Sequence, residues 1–503
     1  MGLGKGQGPE HIEFAGDFNL GSIVIHNHEG SLSVDIKRLV VEFNIYESIF
    51  NSALTGSLVI SDSTSLLSKL PIQGTEIITF LLNTPGSPAI NCLSAAKAMH
   101  VYAVSDKQQT SDGAEIYTLH FASREFLRNI RTRVSQTYSG RMDQMVASIF
   151  GDKDYLDSRK KLSVQETSNQ DKITIPNLHP FQAISLLQKR SLSTIDKSTN
   201  VGYHFYETPS GFHFRSWESM CVDKVGKPIP IKQSFEYMQM KHTDANAYGT
   251  KKTKITHEYQ SVEDYRFINS SHDVAANQAA GTYANRVITH NLYNKSYKES
   301  NYHYHNSFKD TKHIDGNKVP VVSTPVDFDN KGISDYSESR VSVVPTTQYT
   351  HNEKTGAFGI DVEQDGITTA SGVSQKNQVL GGTRLEMTIK GQSYLEAGDV
   401  VQFNLQTVEN KFSSAGSFDP QYSGRYVITK IRHRVTASEY INVIELTKDS
   451  VAGAWPSKGL SRYPVKKVKA KTPDKGTVQS IGDGSHYSEM ARKGGRGKHY
   501  HQS

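Results

Sequence analysis

The sequence predicts a β-rich α+β protein in which one chain of 503 residues holds two similar antiparallel β-barrels. The first observation is a repeat, since Glu76–Thr84 (EIITFLLNT) and Asp399–Thr407 (DVVQFNLQT) share one pattern of apolar and polar residues. The second is that the likeness continues downstream, where Val101–Ser105 matches Arg425–Thr429. A long repeat decides the fold prediction before any shorter motif does. We therefore expect two related β-domains about 324 residues apart.

Alternating apolar residues place the first barrel at 21–123. The stretches Leu32–Tyr46 and Leu54–Ile60 alternate in this way and are separated by turn residues, which is typical of half-buried antiparallel strands. Further strand patterns lie at 75–84, 99–105 and 116–122. The last contains Tyr117–Phe121, which has its counterpart in Tyr440–Leu446. Residues 1–20 begin Gly-rich and are expected to form a flexible N-terminal arm.

A mixed α/β domain is predicted at 124–232, where the apolar period changes. Helical spacing appears in Arg124–Val134 and in Met142–Phe150. Pro180 is expected to open a third helix, because proline suits the first helical position. Residues 202–215 then predict two strands around a turn.

The second barrel is predicted in two pieces, 233–264 and 371–450, and its first strands are expected over Phe235–Tyr259. The 265–370 segment between the two pieces is rich in Asn, Ser, His, Tyr, Asp and Lys. Because it is too long for a plain loop inside a domain, we expect an inserted polar lobe.

The predicted lobe has few secondary-structure signals. Its one helix candidate is the Ala-rich stretch Val274–Ala284, with Asp273 as a possible N-cap and Gly281 as a weak point. Ser339–Val344 is a weak strand pattern.

The formal charge of +6 is unevenly spread. Residues 455–503 hold 11 Lys and Arg against 3 Asp and Glu, and the preceding part holds 46 against 48. The excess therefore belongs to the basic C-terminal tail, 451–503. Its densest positions are Lys466, Lys467, Lys469 and Lys471. Two interpretations stay open: the tail docks on an acidic partner, with these lysines contacting a spike or a neighbouring subunit, or it is a solvated terminus.

The sequence argues against an enzyme and against a cofactor or metal site. The glycines near the start lack the Gly-Lys-Ser/Thr ending of a phosphate loop. These residues are Gly2, Gly4, Lys5, Gly6 and Gly8. Four histidines could in principle bind zinc, but the sequence around 302–306 has no Cys partner and no His-Glu-x-x-His helix, so polar surface or interface positions are expected instead. They are His26, His28, His303 and His305.

No catalytic motif is recognisable around either of the two cysteines, Cys92 and Cys221, and both are expected to be thiols in a reducing compartment. No apolar run long enough for a membrane helix is present, so no membrane insertion is expected. The start of the chain also lacks the apolar segment of a secretory signal.

The order of elements resembles that of a known family. Phe43–Asp62 gives a strand, a connector and a strand ending in Asp; Pro180–Tyr206 gives a helix leading into a two-stranded unit; Gly424–Val443 gives a closing hairpin. Over residues 30–450 this order is similar to the baseplate hub protein of T-even-type contractile-tailed bacteriophages, which has tail-tube-like barrels. The 265–370 insert and the basic tail depart from that pattern.

The resemblance implies a homotrimer whose six barrels form a pseudo-sixfold ring. The ring is expected to meet the tail tube protein on one face and the central spike protein on the other, with tape-measure and baseplate wedge proteins as further neighbours. DNA is expected to pass through the lumen without specific binding. The family carries no catalytic residues and no cofactor to transfer. The implied location is the tail baseplate of the virion, after assembly in the host cytoplasm.

Two alternative functions stay open. One is the hub or spike component of a related contractile injection system, such as a type VI secretion system. That family usually continues into an OB-fold and a β-helix, for which about fifty residues after the second barrel are too few. The other is a tail-associated cell-wall hydrolase, which no motif in the sequence supports.

Overall fold

The computed structural model describes most of the chain up to residue 452. The described residues are 12, 14–27, 29–66, 70, 72–110, 113–195, 201–237, 251–269, 273–291, 295–316, 318–321, 330–346, 351–352, 357–358, 362–406 and 418–452. Among these residues, no helix combines the length and the apolar character needed to cross a membrane.

The first β-domain is a barrel around one apolar core. Its strands are β1 (Asn19–Leu20), β2 (Val24–His26), β3 (Ser33–Asp35), β4 (Val40–Ser48), β5 (Thr55–Asp62), β6 (Ile77–Thr79), β7 (Leu81–Asn83), β8 (Ile90–Asn91), β9 (Met99–Gln109) and β10 (Glu115–Ser123). Most pair in the spatial order β4-β5-β10-β9-β6-β2-β3, and β1, β7 and β8 form a small second sheet. Phe43, Phe80 and Phe121 meet inside this barrel and are fully buried. Gly56 lies against Phe121, because a Cβ there would come within 2.1 Å of the ring Cζ atom.

A mixed α/β domain follows. Its elements are α1 (Arg124–Arg131), β11 (Thr137–Arg141), α2 (Met142–Gly151), β12 (Leu162–Val164), β13 (Gln170–Thr174), α3 (Pro180–Gln188), β14 (Tyr203–Thr208), β15 (Gly211–Ser216) and α4 (Trp217–Cys221). The three helices and the two strands predicted from the sequence are confirmed. Ile149 of α2 and Ile184 of α3 pack with Phe212 in a separate core.

The rest of the described chain builds the second barrel and the lobe. In chain order the elements are β16 (Gln233–Tyr237), α5 (Lys251–Gln260), β17 (Val262–Asn269), α6 (Val274–Ala279), β18 (Ala284–Asn291), β19 (Ser296–His303), α7 (Tyr304–Ser307), β20 (Val341–Thr346), β21 (His351–Asn352), β22 (Ala357–Phe358), α8 (Val362–Gly381), β23 (Thr383–Lys390), β24 (Val400–Leu405), β25 (Gly424–Thr436) and β26 (Tyr440–Lys448). The expectation of strands up to Tyr259 is wrong, because α5 covers the end of that stretch. Packing of α5 on β16 and β23 overrides the weak local signal.

The lobe is a three-stranded sheet, β19-β18-β20, that packs against α8. The predicted N-cap is confirmed, since the Asp273 carboxylate accepts a hydrogen bond from the Ala276 amide at 3.1 Å. The helix that follows is shorter than predicted, and Gly281 lies just beyond its end with a positive φ of 79°. The weak strand pattern corresponds to β20. The expectation of a single helix in 265–370 is wrong, because α7 also lies there and α8 begins there and crosses its predicted end.

The two barrels have the same topology, which confirms the repeat at the level of strands. The order β4-β5-β10-β9 in the first corresponds to β17-β23-β26-β25 in the second, and β6 pairs with β9 as β24 pairs with β25. A β-bulge between Val40 and Glu42 of β4 recurs between Val262 and Asp264 of β17. Bulges are local features of defined position, so this recurrence fixes which residues correspond.

The residue match predicted for β9 and β25 is corrected by three positions. β6 meets β9 at His100, and β24 meets β25 at Val427. Val101 therefore corresponds to Ile428, three residues beyond the Arg425 predicted from the sequence. The match of Glu76–Thr84 with Asp399–Thr407 needs no such shift.

Candidate functional site

The two barrels are joined by direct strand pairing, which we call the joint. β25 is 13 residues long. Its first residues pair with β24 inside the second barrel, whereas Lys430–Thr436 pairs antiparallel with Glu42–Ser48 of β4 in the first barrel. One continuous sheet therefore runs through both barrels. The register is strongly specified, because a slip by one residue would move every side chain to the opposite face.

A buried polar chain lies beneath the joint. Glu47 Oε1 lies 2.9 Å from His433 Nε2, and the Tyr440 hydroxyl lies 2.7 Å from His433 Nδ1. Burial raises the pKa of Glu47 well above its usual value and lowers the pKa of His433 to about 4. Burial therefore disfavours the charged form of both groups. The second carboxyl oxygen accepts from the Ala397 amide at 3.1 Å, which extends the chain to the loop before β24.

The sheet turns one side away from both cores, and we call this side the open face. At its centre β25 presents Lys430, Arg432 and Arg434, because the residues between them face the cores. Opposite them, β4 presents Glu42 and Tyr46. The Arg432 guanidinium lies 5.8 Å from the Tyr46 ring centroid. On the open face, charged side chains therefore lie on both strands of the joint.

Basic side chains on the open face are matched by carboxylates. Six of them form ion pairs with N–O distances between 2.6 and 3.0 Å: Lys430–Glu445, Arg384–Glu445, Arg432–Glu42, Arg434–Glu42, Arg266–Glu386 and Lys390–Glu263. Where a partner is exposed, as Arg266 is, such a pair stabilises a fold by only about 0–1 kcal/mol. Their main effect is to neutralise positive charge that would otherwise attract phosphate.

The carboxylates of these pairs are held in their charged form. Burial alone would raise the pKa of Glu42, but hydrogen bonds from Asn44 and Arg434 and the charges of Arg434 and Arg432 hold it below its usual value. The same balance, with Lys430 and Arg384 as partners, lowers the pKa of Glu445. The neutralisation therefore persists at and below neutral pH.

The mixed domain is fastened to the first barrel by a buried ion triad. Lys160 Nζ lies 2.8 Å from Glu125 and 2.6 Å from Glu207, and all three side chains are under 5% exposed. Glu207 also accepts a hydrogen bond from the Leu54 amide of the first barrel at 2.8 Å. Burial opposes the charge of Lys160, yet the charges of Glu207 and Glu125 raise its pKa. Burial raises the pKa of Glu207 despite the neighbouring ammonium.

A second buried network fixes the lobe. The Asp449 carboxylate after β26 accepts hydrogen bonds from Trp217 of the mixed domain at 3.0 Å and from the Ile314 amide of the lobe at 3.2 Å. His313 Nδ1 lies 3.0 Å from the same carboxylate. Although both groups are buried, their attraction raises the pKa of His313 and lowers that of Asp449. One carboxylate thus ties three parts of the chain together.

The predicted contact lysines, Lys466, Lys467, Lys469 and Lys471, lie outside the described residues, as do Gly2, Gly4, Lys5, Gly6, Gly8 and His28. His303 lies 3.3 Å from Asp335, and the structure brings His305 to Ser334. His26 contacts Ser33 and Thr79.

Within the described part of the chain, no group of three or more His, Cys, Asp or Glu is placed to hold a metal. Both cysteines are buried free thiols. Burial raises the pKa of Cys92 to about 12 and that of Cys221 well above its usual value.

The joint and the buried networks were not predicted from the sequence. Ion triads of this kind join residues far apart in the chain, so no local pattern reveals them. The joint did leave one signal. Beyond Ile428, basic residues recur at every second position, Lys430, Arg432 and Arg434, and Ile431, His433 and Val435 alternate with them. This makes β25 longer than a hairpin with one partner needs.

No protein-family model matches the chain, and no curated protein matches it. Among solved structures, the chain is similar to the 43 kDa tail protein of prophage MuSo2 from Shewanella oneidensis, with 10% identity, a TM-score of 0.48, and coverage of 86% of this chain and 100% of that one. It is also similar to the tail protein from Neisseria meningitidis MC58, with 9% identity, a TM-score of 0.46, and coverage of 86% and 97%. A third is prophage tail protein gp18 from Listeria monocytogenes, with 8% identity, a TM-score of 0.41, and coverage of 86% and 95%. At these identities and TM-scores the likenesses do not assign the chain to a family.

Proposed function

We propose that this protein is the baseplate hub of a phage-type contractile tail, a structural ring rather than an enzyme. The observation that carries the proposal is the joint, which sets two equivalent barrels side by side in one continuous sheet. A chain built in this way can form one third of a ring, and three chains with two barrels each give a ring of six barrels. Closed rings of this type form when a heterologous contact repeats until it closes.

In this role the trimer adapts a sixfold tail tube protein to a threefold central spike protein. Six equivalent barrels match the tube, while the lobe and the mixed domain occur once per chain and follow the threefold axis. Tape-measure and baseplate wedge proteins are the further neighbours of such a hub, and its location is the virion tail. No cofactor is needed for this work.

The open face of the joint is the surface we assign to the lumen. Its basic side chains are paired with carboxylates, so a passing DNA duplex finds few free cations to bind. DNA must pass through the channel without being held, and a surface with neutralised charges binds DNA less tightly than a basic groove does. The near balance of charge before residue 455 agrees with this assignment.

The mass of the purified protein by light scattering tests the proposal, alone and with a candidate spike. We expect a trimer of three 55.9 kDa chains, or a monomer that becomes a trimer on the spike. A protein that stays monomeric both alone and with the spike would overturn the hub function. A lytic assay on peptidoglycan would then test the hydrolase alternative.

The basic tail is proposed to dock on the spike or on a neighbouring subunit. Deleting residues 456–503 is then expected to weaken spike binding or trimer formation. The matched control keeps the full chain and changes Lys466, Lys467, Lys469 and Lys471 to Gln, which separates the effect of charge from that of length. If the deletion leaves both properties unchanged, the docking hypothesis is wrong, although the hub function is not affected.

A further inference from the structure

A lysine and an aspartate meet in a buried setting where the lobe joins the second barrel. Lys448 is the last residue of β26, and Asp315 belongs to the lobe. Lys448 Nζ lies 3.7 Å from Asp315 Oδ2, and the two side chains are only 1% and 5% exposed. That distance is too long for a hydrogen bond. The pair therefore differs from the ion triad of Lys160, whose ammonium lies within 2.8 Å of both carboxylates.

The two oxygens of the Asp315 carboxyl have different surroundings. Oδ1 accepts a hydrogen bond from the Arg425 amide at 3.1 Å. Oδ2 has no hydrogen-bond partner within the part of the chain that the structure describes. It lies close against β25, because a Cβ at Gly424 would overlap it and glycine carries none. One oxygen is thus polarised by an N–H group, and the other is free of hydrogen bonds.

Burial favours the uncharged forms of both groups. It lowers the pKa of Lys448 to about 8, although the charges of Asp315 and Asp419 oppose the shift. It also raises the pKa of Asp315, although the charge of Lys448 acts in the opposite direction. The ring centroid of Tyr426, a fully buried residue, lies 5.0 Å from Nζ and closes one side of the site. A desolvated neutral amine is a nucleophile and a neutral carboxyl can be attacked, whereas an ammonium facing a carboxylate is inert.

We infer that the mature protein carries an isopeptide bond between Lys448 and Asp315. In its formation Nζ attacks Cγ of Asp315, so that a new N–C bond forms and the bond from Cγ to Oδ2 breaks. Oδ2 leaves as water with the carboxyl proton and one proton of the amine. Oδ1 stays as the carbonyl oxygen of the amide, and the Arg425 N–H stabilises the negative charge that develops on it during the attack. The condensation needs no oxidant, reductant or cofactor.

Such a bond ties the lobe covalently to the second barrel. β26 pairs with both β23 and β25, so Lys448 ends a central strand of that barrel. A force on the lobe is then transmitted through a covalent bond as well as through side-chain contacts. The inference goes beyond the proposed function and does not depend on it, because both residues belong to one chain.

The intact mass of the purified full-length protein, measured after denaturation, tests the inference. We expect a mass lower than that of the sequence by one water molecule. After trypsin digestion we expect one branched peptide that contains both Lys448 and Asp315, because trypsin does not cleave after an acylated lysine. Lys160 is the internal control, since it lies in an ion triad and should appear only in linear peptides.

Two variants separate the isopeptide bond from another way of losing water. Lys448→Met removes the amine and should show the full mass of its sequence. Lys309→Met is the matched control, because it changes an exposed lysine of the lobe and should keep the loss. A cyclic imide at Asp315 and Gly316 would also release water, but it needs no lysine and opens in mild alkali.

Each outcome decides the inference. A lost water molecule together with the branched peptide supports it. A wild-type mass equal to that of the sequence overturns it, and so does a loss of water without a branched peptide or one that persists in Lys448→Met. The wild-type mass and peptides remain decisive if Lys448→Met folds poorly. None of these results changes the proposed ring, whose test is the mass of the assembly.

Discussion

Replacing Lys160 by Met should destabilise the protein strongly and in a pH-dependent way. The side chain fits a similar volume, but Glu125 and Glu207 then lose the ammonium that lies 2.8 and 2.6 Å from them. Removing one partner of a buried ion pair costs about 3–5 kcal/mol, because an uncompensated charge stays behind. We therefore expect the free energy of unfolding to fall by about 3–5 kcal/mol at pH 7.5.

The sign of the pH dependence follows from Glu207. Burial already raises its folded pKa despite the neighbouring ammonium, so without Lys160 that pKa lies further above the unfolded value of about 4.3. A carboxyl with a raised folded pKa destabilises the fold progressively as the pH rises past the unfolded value. The gap between the variant and the wild type should therefore narrow on going from pH 7.5 to pH 5.

Urea unfolding followed by the fluorescence of the buried Trp217 measures this gap. Lys153→Met is the matched control, because Lys153 is exposed and should change the stability little. Adding Glu125→Gln and Glu207→Gln to the variant should restore most of the loss, since no buried charge then remains. A loss below 1 kcal/mol, or one equal at both pH values, would refute the assignment of a buried, charged triad.

Three further predictions follow from the same structure. Gly56→Ala should lower stability by about 1–3 kcal/mol in thermal unfolding, because the new methyl group would meet Phe121, and an unchanged transition would contradict that packing. Glu42→Gln should tighten the binding of duplex DNA, because Arg432 and Arg434 lose the carboxylate that neutralises them. The slope of the logarithm of the binding constant against the logarithm of the salt concentration should steepen by about 1–2. Equal DNA binding by the variant and the wild type would argue against charge neutralisation. Asp449→Asn should lower the free energy of unfolding by about 2–3 kcal/mol. The loss should be largest between about pH 4 and 6.5, where Asp449 and His313 of the wild type are both charged. A loss that does not depend on pH in chemical unfolding would contradict the charged pair.

The sequence was sufficient to predict the elements whose signal is local. Alternating apolar and polar residues located strands in both copies of the repeat, and apolar residues at helical spacing located α1 and α2. The predicted cap at Asp273 also depends on neighbours only three residues away. Each of these features is set by a few adjacent residues.

Elements determined by distant contacts could not be predicted in this way. The sequence of α5 has no apolar stripe, and the helix packs against β16 and β23. No helix was predicted over α8, whose composition is polar, yet α8 packs against the sheet of the lobe. The joint needs two strands from opposite ends of the chain, and only the length of β25 hinted at a second partner.

The joint has a consequence for how the chain is made. Glu47 and His433 meet across it but are 386 residues apart in sequence. At about 5–20 residues per second, a ribosome needs roughly 20–80 s to synthesise the chain from β4 to β25. During that time β4 is an uncovered strand that β25 of another nascent chain can take. A low polysome density, or a chaperone that shields β4, should therefore raise the yield of correctly closed chains.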